Sequence, residues 1–383
     1  MANATLPSII VAFKSLATSF IERSQRGIAI LIVREDGETE GGDYTPVTPS
    51  ITEVTLETDL TAWSNANAAR IGDMLAIMPA KVVVVTIDTT AELSAATALI
   101  EQNYQNGRVT TVSSISADYT GLATWAKAKK SYHALVFNVA SQDSRYVESV
   151  YTQSVTFDAD WDSGRVGQGS LNRATGTYTT QELTPLIAAI LSRANVNGAS
   201  STIIKALSGV VDLSTPDTTV NNGYLVLYND WAGSDRVVRL GTAVNTLTTF
   251  DNTANDGDQI EDMRYIEVSE VADMIRADIK AVFRDSYSGR MKNSVDNQMQ
   301  LIGAIANYFD ALETEAILSP DYANNVEIDV DAQRAAWVLV NPDAASWDDD
   351  KVRATPYKRN VYLSADVMIL NSMQNLKLEV TLN

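Results

Sequence analysis

The sequence predicts an α/β (mixed α+β) protein: an open, largely parallel sheet with flanking helices, then a C-terminal αα-hairpin with strands, and extended N- and C-terminal arms. Three observations predict it. Short β-branched runs alternate with helical stretches between residues 28 and 139, two strongly periodic helical segments follow at about 269–285 and 294–318, and the chain ends on strict two-residue alternation.

The elements follow in order. After Pro7, which fits only a strand's start or a sheet edge, residues 8–13 read as an edge strand. The apolar run 28–33 is bounded by charges and reads as a buried strand, whereas 37–54, rich in Gly, Pro and Thr, reads as an extended loop. A helix carrying Trp63, Ile71, Met74 and Leu75 inward precedes the buried strand 81–87. Helices over about 91–104 and 119–130 lead to a strand at 133–139, and strands of this kind spaced by helices imply parallel pairing. Residues 158–178 are Gly-rich and polar, hence a long loop or linker. A helix over about 180–194 leads to a hairpin with arms 224–228 and 236–240. The two periodic helices form an αα-hairpin through Ser288 and Gly289, the first presenting Val271, Ile275, Ile279, Val282 and Phe283 inward, the second Val295, Met299, Ile302, Ala306, Phe309 and Leu312. A polar loop at 341–360 precedes a strand near 361–370 and the terminal strand.

This divides the chain into an N-terminal extended arm (1–22), an α/β region (23–157), a middle region with loop, helix and hairpin (158–262), a C-terminal domain with the αα-hairpin (263–370) and a C-terminal strand arm (371–383).

At 383 residues the chain can bury a sizeable core, and 45% hydrophobic with 20% charged residues is the balance of a folded protein. A net charge of −19 disfavours sequence-independent nucleic-acid binding, which needs cations to displace counterions. Having no cysteine removes disulfides, thiolate metal sites and cysteine nucleophiles, and the single histidine, His133, removes a His–His metal pair. The N-terminus lacks a basic region ahead of its apolar stretch, and no apolar run reaches the ~18–20 residues that span a bilayer. Cytoplasmic synthesis, with no membrane insertion, is expected.

No constellation reads as catalytic. The loop SGRVGQG lacks both the GK[ST] ending of a phosphate loop and the dinucleotide fingerprint, so it reads as a mobile loop. The acidic stretch 251–262 misplaces its ligands against the calcium-loop template and reads as a solvated turn. His133 opens a buried strand with no nucleophile motif and reads as a core or edge histidine. Asp348, Asp349 and Asp350 read as a solvated charge run. No metal and no cofactor is expected.

One feature runs against the acidic balance. Arg276, Lys280 and Arg284 recur every fourth residue and share a helix face opposite the apolar stripe. They complement the helix dipole or form a partner-docking stripe, and the spacing leaves both open. At the terminus, Leu376, Leu378, Val380 and Leu382 alternate with Lys377, Glu379 and Thr381, a half-buried strand in need of a sheet edge.

The segments LPSIIVAFKSLATSFIERSQRGI (6–28) and YIEVSEVADMIRADIKAVFRDSYSGRMKNSVDNQMQLIGAIANYFDALE (265–313) resemble contractile tail sheath proteins, closest to the short sheaths of myophage-like tails and R-type bacteriocins. The resemblance implies a structural subunit without enzymatic activity that polymerises helically around an inner tail tube and contracts to drive the tube through a cell envelope. It further implies that both arms add strands to neighbouring subunits, through Ile9, Val11 and Phe13 at one end and Leu376, Leu378, Val380 and Leu382 at the other, hinging in 15–22 and 371–375. By the same resemblance Arg276, Lys280 and Arg284 face the tube. The implied partners are identical subunits, the tube protein and the baseplate and tail terminator proteins, in a virion or phage-tail-like particle assembled in the bacterial cytoplasm. The α/β pattern alone also fits an enzyme or nucleotide-binding protein, and the arms alone fit a non-contractile self-assembling shell protein.

Overall fold

The computed structural model describes residues 21, 25–40, 42–56, 58–139, 142–158, 177–251 and 258–379. Of these, 25–275 with 369–379 form one compact unit, and 21 with 276–368 form a second.

The larger unit begins with β1 (Ile28–Glu35), β2 (Glu38–Glu40), β3 (Asp43–Thr45), β4 (Ser50–Val54), α1 (Asn65–Ile77), β5 (Lys81–Asp88), α2 (Leu93–Asn103), β6 (Gly107–Thr111), α3 (Ser116–Lys129), β7 (Tyr132–Phe137) and β8 (Val147–Val150). It continues through β9 (Ser154–Phe157), β10 (Thr177–Thr179), α4 (Thr184–Ala194), β11 (Leu207–Val210), α5 (Pro216–Asn221), β12 (Tyr224–Leu225), β13 (Leu227–Ala232) and β14 (Asp235–Leu240). Its main sheet has the order β12-β8-β7-β6-β1-β5-β4, parallel throughout except at the edge strand β4. Because strands 28–33 and 82–85 are apolar on both faces, both faces must be covered. On one side Ile71, Met74 and Leu75 of α1 meet Leu31, Val33, Val82 and Val84. On the other, Ile100 of α2 and Leu122 and Ala126 of α3 meet Ile30, Ile32, Val83 and Val109. The open, largely parallel sheet read from the sequence is therefore observed.

Several details differ from the sequence reading. Residues 37–54 are not simply a loop: Ser50–Val54 pairs with β5, because Ile51 and Val54 supply inward apolar positions among the turn residues. The hairpin is displaced as well. Tyr224–Leu225 joins the main sheet beside β8, and the hairpin proper is β13–β14 around Gly233 and Ser234. Gly233, at φ +68°, supplies the positive φ that so tight a turn requires at its first central position.

α6 (Ile266–Val282) starts in the larger unit, whose boundary falls after Ile275. In the smaller unit α6 ends in a π-helical turn, Phe283–Tyr287, and α7 (Val295–Thr314), β15 (Asn325–Ile328), α8 (Val330–Val338), α9 (Asp349–Arg353) and β16 (Leu363–Asp366) follow. The αα-hairpin is present, and Tyr308 of α7 donates to the buried Asp278 of α6 at 2.7 Å. Its second face is rotated from the expected one. Leu301, Ala304, Ile305, Tyr308, Phe309 and Leu312 are buried, while Met299 is exposed, because apolar residues occur on two sides of this helix and the Tyr308 bond sets its phase. The polar stretch 341–360 is partly helical: Asp348 caps α9 by accepting from Lys351 N at 2.7 Å, and Asp349 and Asp350 occupy the first turn, where the helix dipole favours them.

Leu122 is fully buried between α3 and the sheet. Leu122→Ala removes its packing and is expected to cost about 2–5 kcal/mol, read as a lowered urea midpoint at unchanged m-value.

Candidate functional site

The candidate surfaces read from the sequence are the C-terminal segment and the basic helix, and the small sheet is described with them. The C-terminal segment leaves the larger unit at a defined point. Ser372 donates to Glu267 Oε1 of α6 through both its backbone N and its hydroxyl, each at 3.0 Å. Beyond that tether, residues 373–379 belong to no strand, and Met373, Leu376 and Leu378 are 102%, 88% and 74% exposed. The terminal strand expected from the alternation is therefore not formed within the described chain, since such a strand needs an edge and none is placed beside it. Val380 and Leu382 lie outside the described residues, as do Ile9, Val11 and Phe13.

In the smaller unit β15 and β16 pair antiparallel, with Val326 opposite Ala365 and Ile328 opposite Leu363. Since opposed residues share a face, these four form an apolar face, and Asn325, Glu327, Ser364 and Asp366 form a polar one. A sheet of two strands is marginal alone and gains from a third.

Arg276 and Lys280 are both exposed on α6. Arg284 falls on the π-helical turn, off the regular four-residue spacing, and chelates Asp285 through Nε at 2.7 Å and Nη2 at 3.0 Å. The structure thus keeps Arg276 and Lys280 on one helix and partly neutralises Arg284 locally.

Beneath the first turns of α6 lies a cluster that the sequence reading did not assemble. Adjacent parallel strands set Arg108 beside His133 and Leu135 beside Glu148, so Arg108, His133 and Glu148 share one face of the sheet. α6 adds Glu270 and Asp273. Arg108 donates to both Glu148 oxygens at 2.7 and 2.8 Å and to Glu270 Oε1 at 2.8 Å. Arg26 reaches Glu270 Oε2 at 2.7 Å, because Gly27, at φ +77°, turns the chain where a Cβ would meet Ser192 O at 2.9 Å. Arg145 bridges Asp273 at 2.6 Å and Asp258 at 2.8 Å, and Lys130 meets Asp258 at 2.6 Å from the solvent side. Burial would raise the carboxyl of Glu270, but Arg26, His133 and Arg108 hold it well below the usual range. Burial likewise opposes the ionisation of Asp258, yet the hydrogen bonds from Lys130 and Arg145 bring it down to about 2. The sequence signal was available in principle: Arg108, His133 and Glu148 each interrupt an apolar strand, and Glu270 and Asp273 sit beside the apolar Val271 and Met274.

A cavity of about 770 Å³ in the larger unit is lined by Leu75, Ile77, Met78, Leu186 and Ile190 with Arg193 and Lys205. Among the described residues, no carboxylate or imidazole lines it to exchange a proton. Among the described residues no helix is long and apolar enough to cross a membrane.

The described surface thus carries an uncovered alternating segment, a two-stranded sheet and two exposed basic residues on α6 of an acidic chain. Known proteins resemble the chain in part and along its whole length. Residues 258–383 match the family model described as the phage tail sheath C-terminal domain. The chain is 22% identical to the tail sheath protein of Clostridium phage phiCD119, over 98% of this chain and 99% of that protein. Its fold is similar to the anti-feeding prophage helical sheath in the contracted state, with a TM-score of 0.66 and 15% identity over 99% of both chains. It is similar also to a sheath tail protein from Desulfitobacterium hafniense, with a TM-score of 0.61 and 14% identity over 85% of this chain and 94% of that one. The resemblance to tail sheath proteins read from the sequence is borne out by the matching C-terminal domain and by the end-to-end match to a phage tail sheath protein, and the solved structures share the fold.

Carboxylates held low in the folded state stabilise it above the unfolded range near ~4 and lose that contribution as pH falls through the folded values. Stability is therefore expected to fall below about pH 5 as this cluster protonates, continuing toward about 2 for Asp258. Glu270→Gln leaves Arg26 without its carboxylate and is expected to cost about 3–5 kcal/mol at pH 7 and to flatten the acid limb, both read from urea midpoints across pH.

Proposed function

We propose that this chain is linked to its neighbours in the sheath by strand addition, wraps an inner tail tube when extended, and drives the tube through a target envelope when the sheath shortens and widens. The observation that carries the reading is the segment beyond Ser372, anchored at its base by Glu267 and leaving Leu376 and Leu378 uncovered. Covering each leucine on a partner yields about 1.5–3 kcal/mol, to which main-chain hydrogen bonds add register. In this reading Leu376, Leu378, Val380 and Leu382, and Ile9, Val11 and Phe13 at the other end, join the β15–β16 sheet of neighbouring subunits. The fit is chemical: the leucines extend the Val326, Ile328, Leu363 and Ala365 face, and Lys377, Glu379 and Thr381 extend the polar one.

Subunits then move as bodies between two helical packings while the arms hinge, at 371–375 on the C-terminal side, and keep the lattice connected. Energy is stored at assembly, in tube and baseplate contacts that hold the less stable packing. Arg276 and Lys280, with Arg284 beyond them, face the tube and supply positive charge on an acidic subunit. The tube, baseplate and terminator proteins are the further partners, assembly takes place in the bacterial cytoplasm, and the role is mechanical rather than catalytic.

Deleting 375–383, or introducing Leu376→Asp with Leu378→Asp, should leave a folded monomer that does not polymerise. Tubes of normal length in negative stain would refute the arm's role. Reversing Arg276, Lys280 and Arg284 to Glu should abolish decoration of the tube yet still allow contracted-like polymers, and unchanged decoration would remove the stripe from the tube interface.

A further inference from the structure

We propose that the buried cluster around His133 is a charge-operated clamp: the imidazolium of His133 fastens the first turns of α6 to the sheet, and loss of its proton releases them. This inference concerns the larger unit alone and does not rest on the proposed mode of assembly.

The geometry requires a charged ring. His133 is 3% exposed, and its two nitrogens both face carboxylates. Nε2 lies 3.0 Å from Asp273 Oδ2 of α6, and Nδ1 lies 3.5 Å from Glu148 Oε1 of β8, long for a hydrogen bond but close for an ion pair. A neutral imidazole carries one N–H, so in either tautomer one lone pair would point at a carboxylate. Only the imidazolium presents a donor to both.

The charged and titratable groups facing the ring come from every element around it. They are Glu270 and Asp273 of α6, Glu148 of β8, Arg108 of β6, and Arg145 with Tyr146 from the turn before β8, whose Tyr146 ring centroid is 5.9 Å away. Arg108 and Arg145 are committed to the same carboxylates from the other side. The crevice bordering Arg26, Arg108, His133 and Glu270 holds only about 10 Å³, room for one water at most, so hydration cannot replace the ring's proton. Burial alone would lower the pKa of His133, but the charge of Glu270, the hydrogen bond to Asp273 and the nearby Glu148 carboxylate raise it to about 9.

The release is directed at one place. Of the ring's partners, only Glu270 and Asp273 belong to a helix; the others sit in or beside the sheet, where the strand ladders hold them. Glu267, which tethers Ser372, precedes Glu270 by one turn, so an opened clamp also frees the base of the C-terminal segment. The sign follows from linkage: a folded value raised above the unfolded ~6.5 gives stability present below about 6.5 and lost as pH rises through about 9.

His133 is the chain's single histidine, so histidine-labelled full-length protein gives one Cε1–H signal to titrate by NMR. The expected midpoint is near 9, and a midpoint at or below the unfolded ~6.5 overturns the proposal. Amide exchange supplies the second measurement. Protection factors in 266–275 should fall by up to ~300-fold between pH 6.5 and 10, while those in β1 and β5 hold. Protection that is unchanged, or lost equally in the sheet, overturns it. His133→Gln should already show the low α6 protection at pH 6.5 and no further loss by pH 10; should that variant not fold, both wild-type measurements still decide.

Discussion

The buried ionic cluster is the constraint on which the larger unit turns. Arg26, Arg108 and Arg145 reach it from three separate places in the sequence, and each finds its carboxylate on or beside α6. Desolvated charges are poor sources of net stability but strict about geometry, because any displacement of α6 leaves an unpaired charge in a dry interior. An apolar interface of equal size would tolerate a helix sliding by a turn. This one does not, which suits the proposed role of a subunit that presents the same surfaces at every lattice position.

The terminal segment poses the opposite problem. An exposed alternating run invites indiscriminate pairing, and natural sheets usually blunt such edges with charge. Here the polar positions carry Lys377 and Glu379, opposite charges two residues apart, which favour partners of one register over random stacking. The anchor at Ser372 fixes where the segment starts, so its reach is set by a short span of chain and not by free diffusion.

How much could be read without coordinates depended on whether the signal was local. The strands 28–33 and 81–87, the helix between them and the two helices that follow carried local signals of their own, and they formed close to where expected. Residues 50–54 were missed because an edge strand half exposed to solvent looks like the turn sequence around it. The phase of α7 was missed because Val295, Met299 and Ile302 form a second plausible stripe, and the choice was made by a partner 30 residues away, Asp278. The cluster was least legible of all. Its bonded partners lie up to 244 residues apart, and a charged residue in a buried strand reads singly as an anomaly until the register sets three of them on one face.

In the proposed assembly, strand addition and the ionic cluster would divide the mechanical work between two kinds of bond. Main-chain hydrogen bonds in a shared sheet are insensitive to which side chains surround them, so a linked lattice can change its packing while its connections persist. A desolvated charge cluster cannot rearrange gradually, since partial separation strands charges in low dielectric. A subunit rigid at α6 and joined to others as proposed, through its terminal segment, would therefore concentrate deformation in the few residues just beyond Ser372. That is where a lattice built on strand addition must bend if it is to keep its connections while changing its diameter.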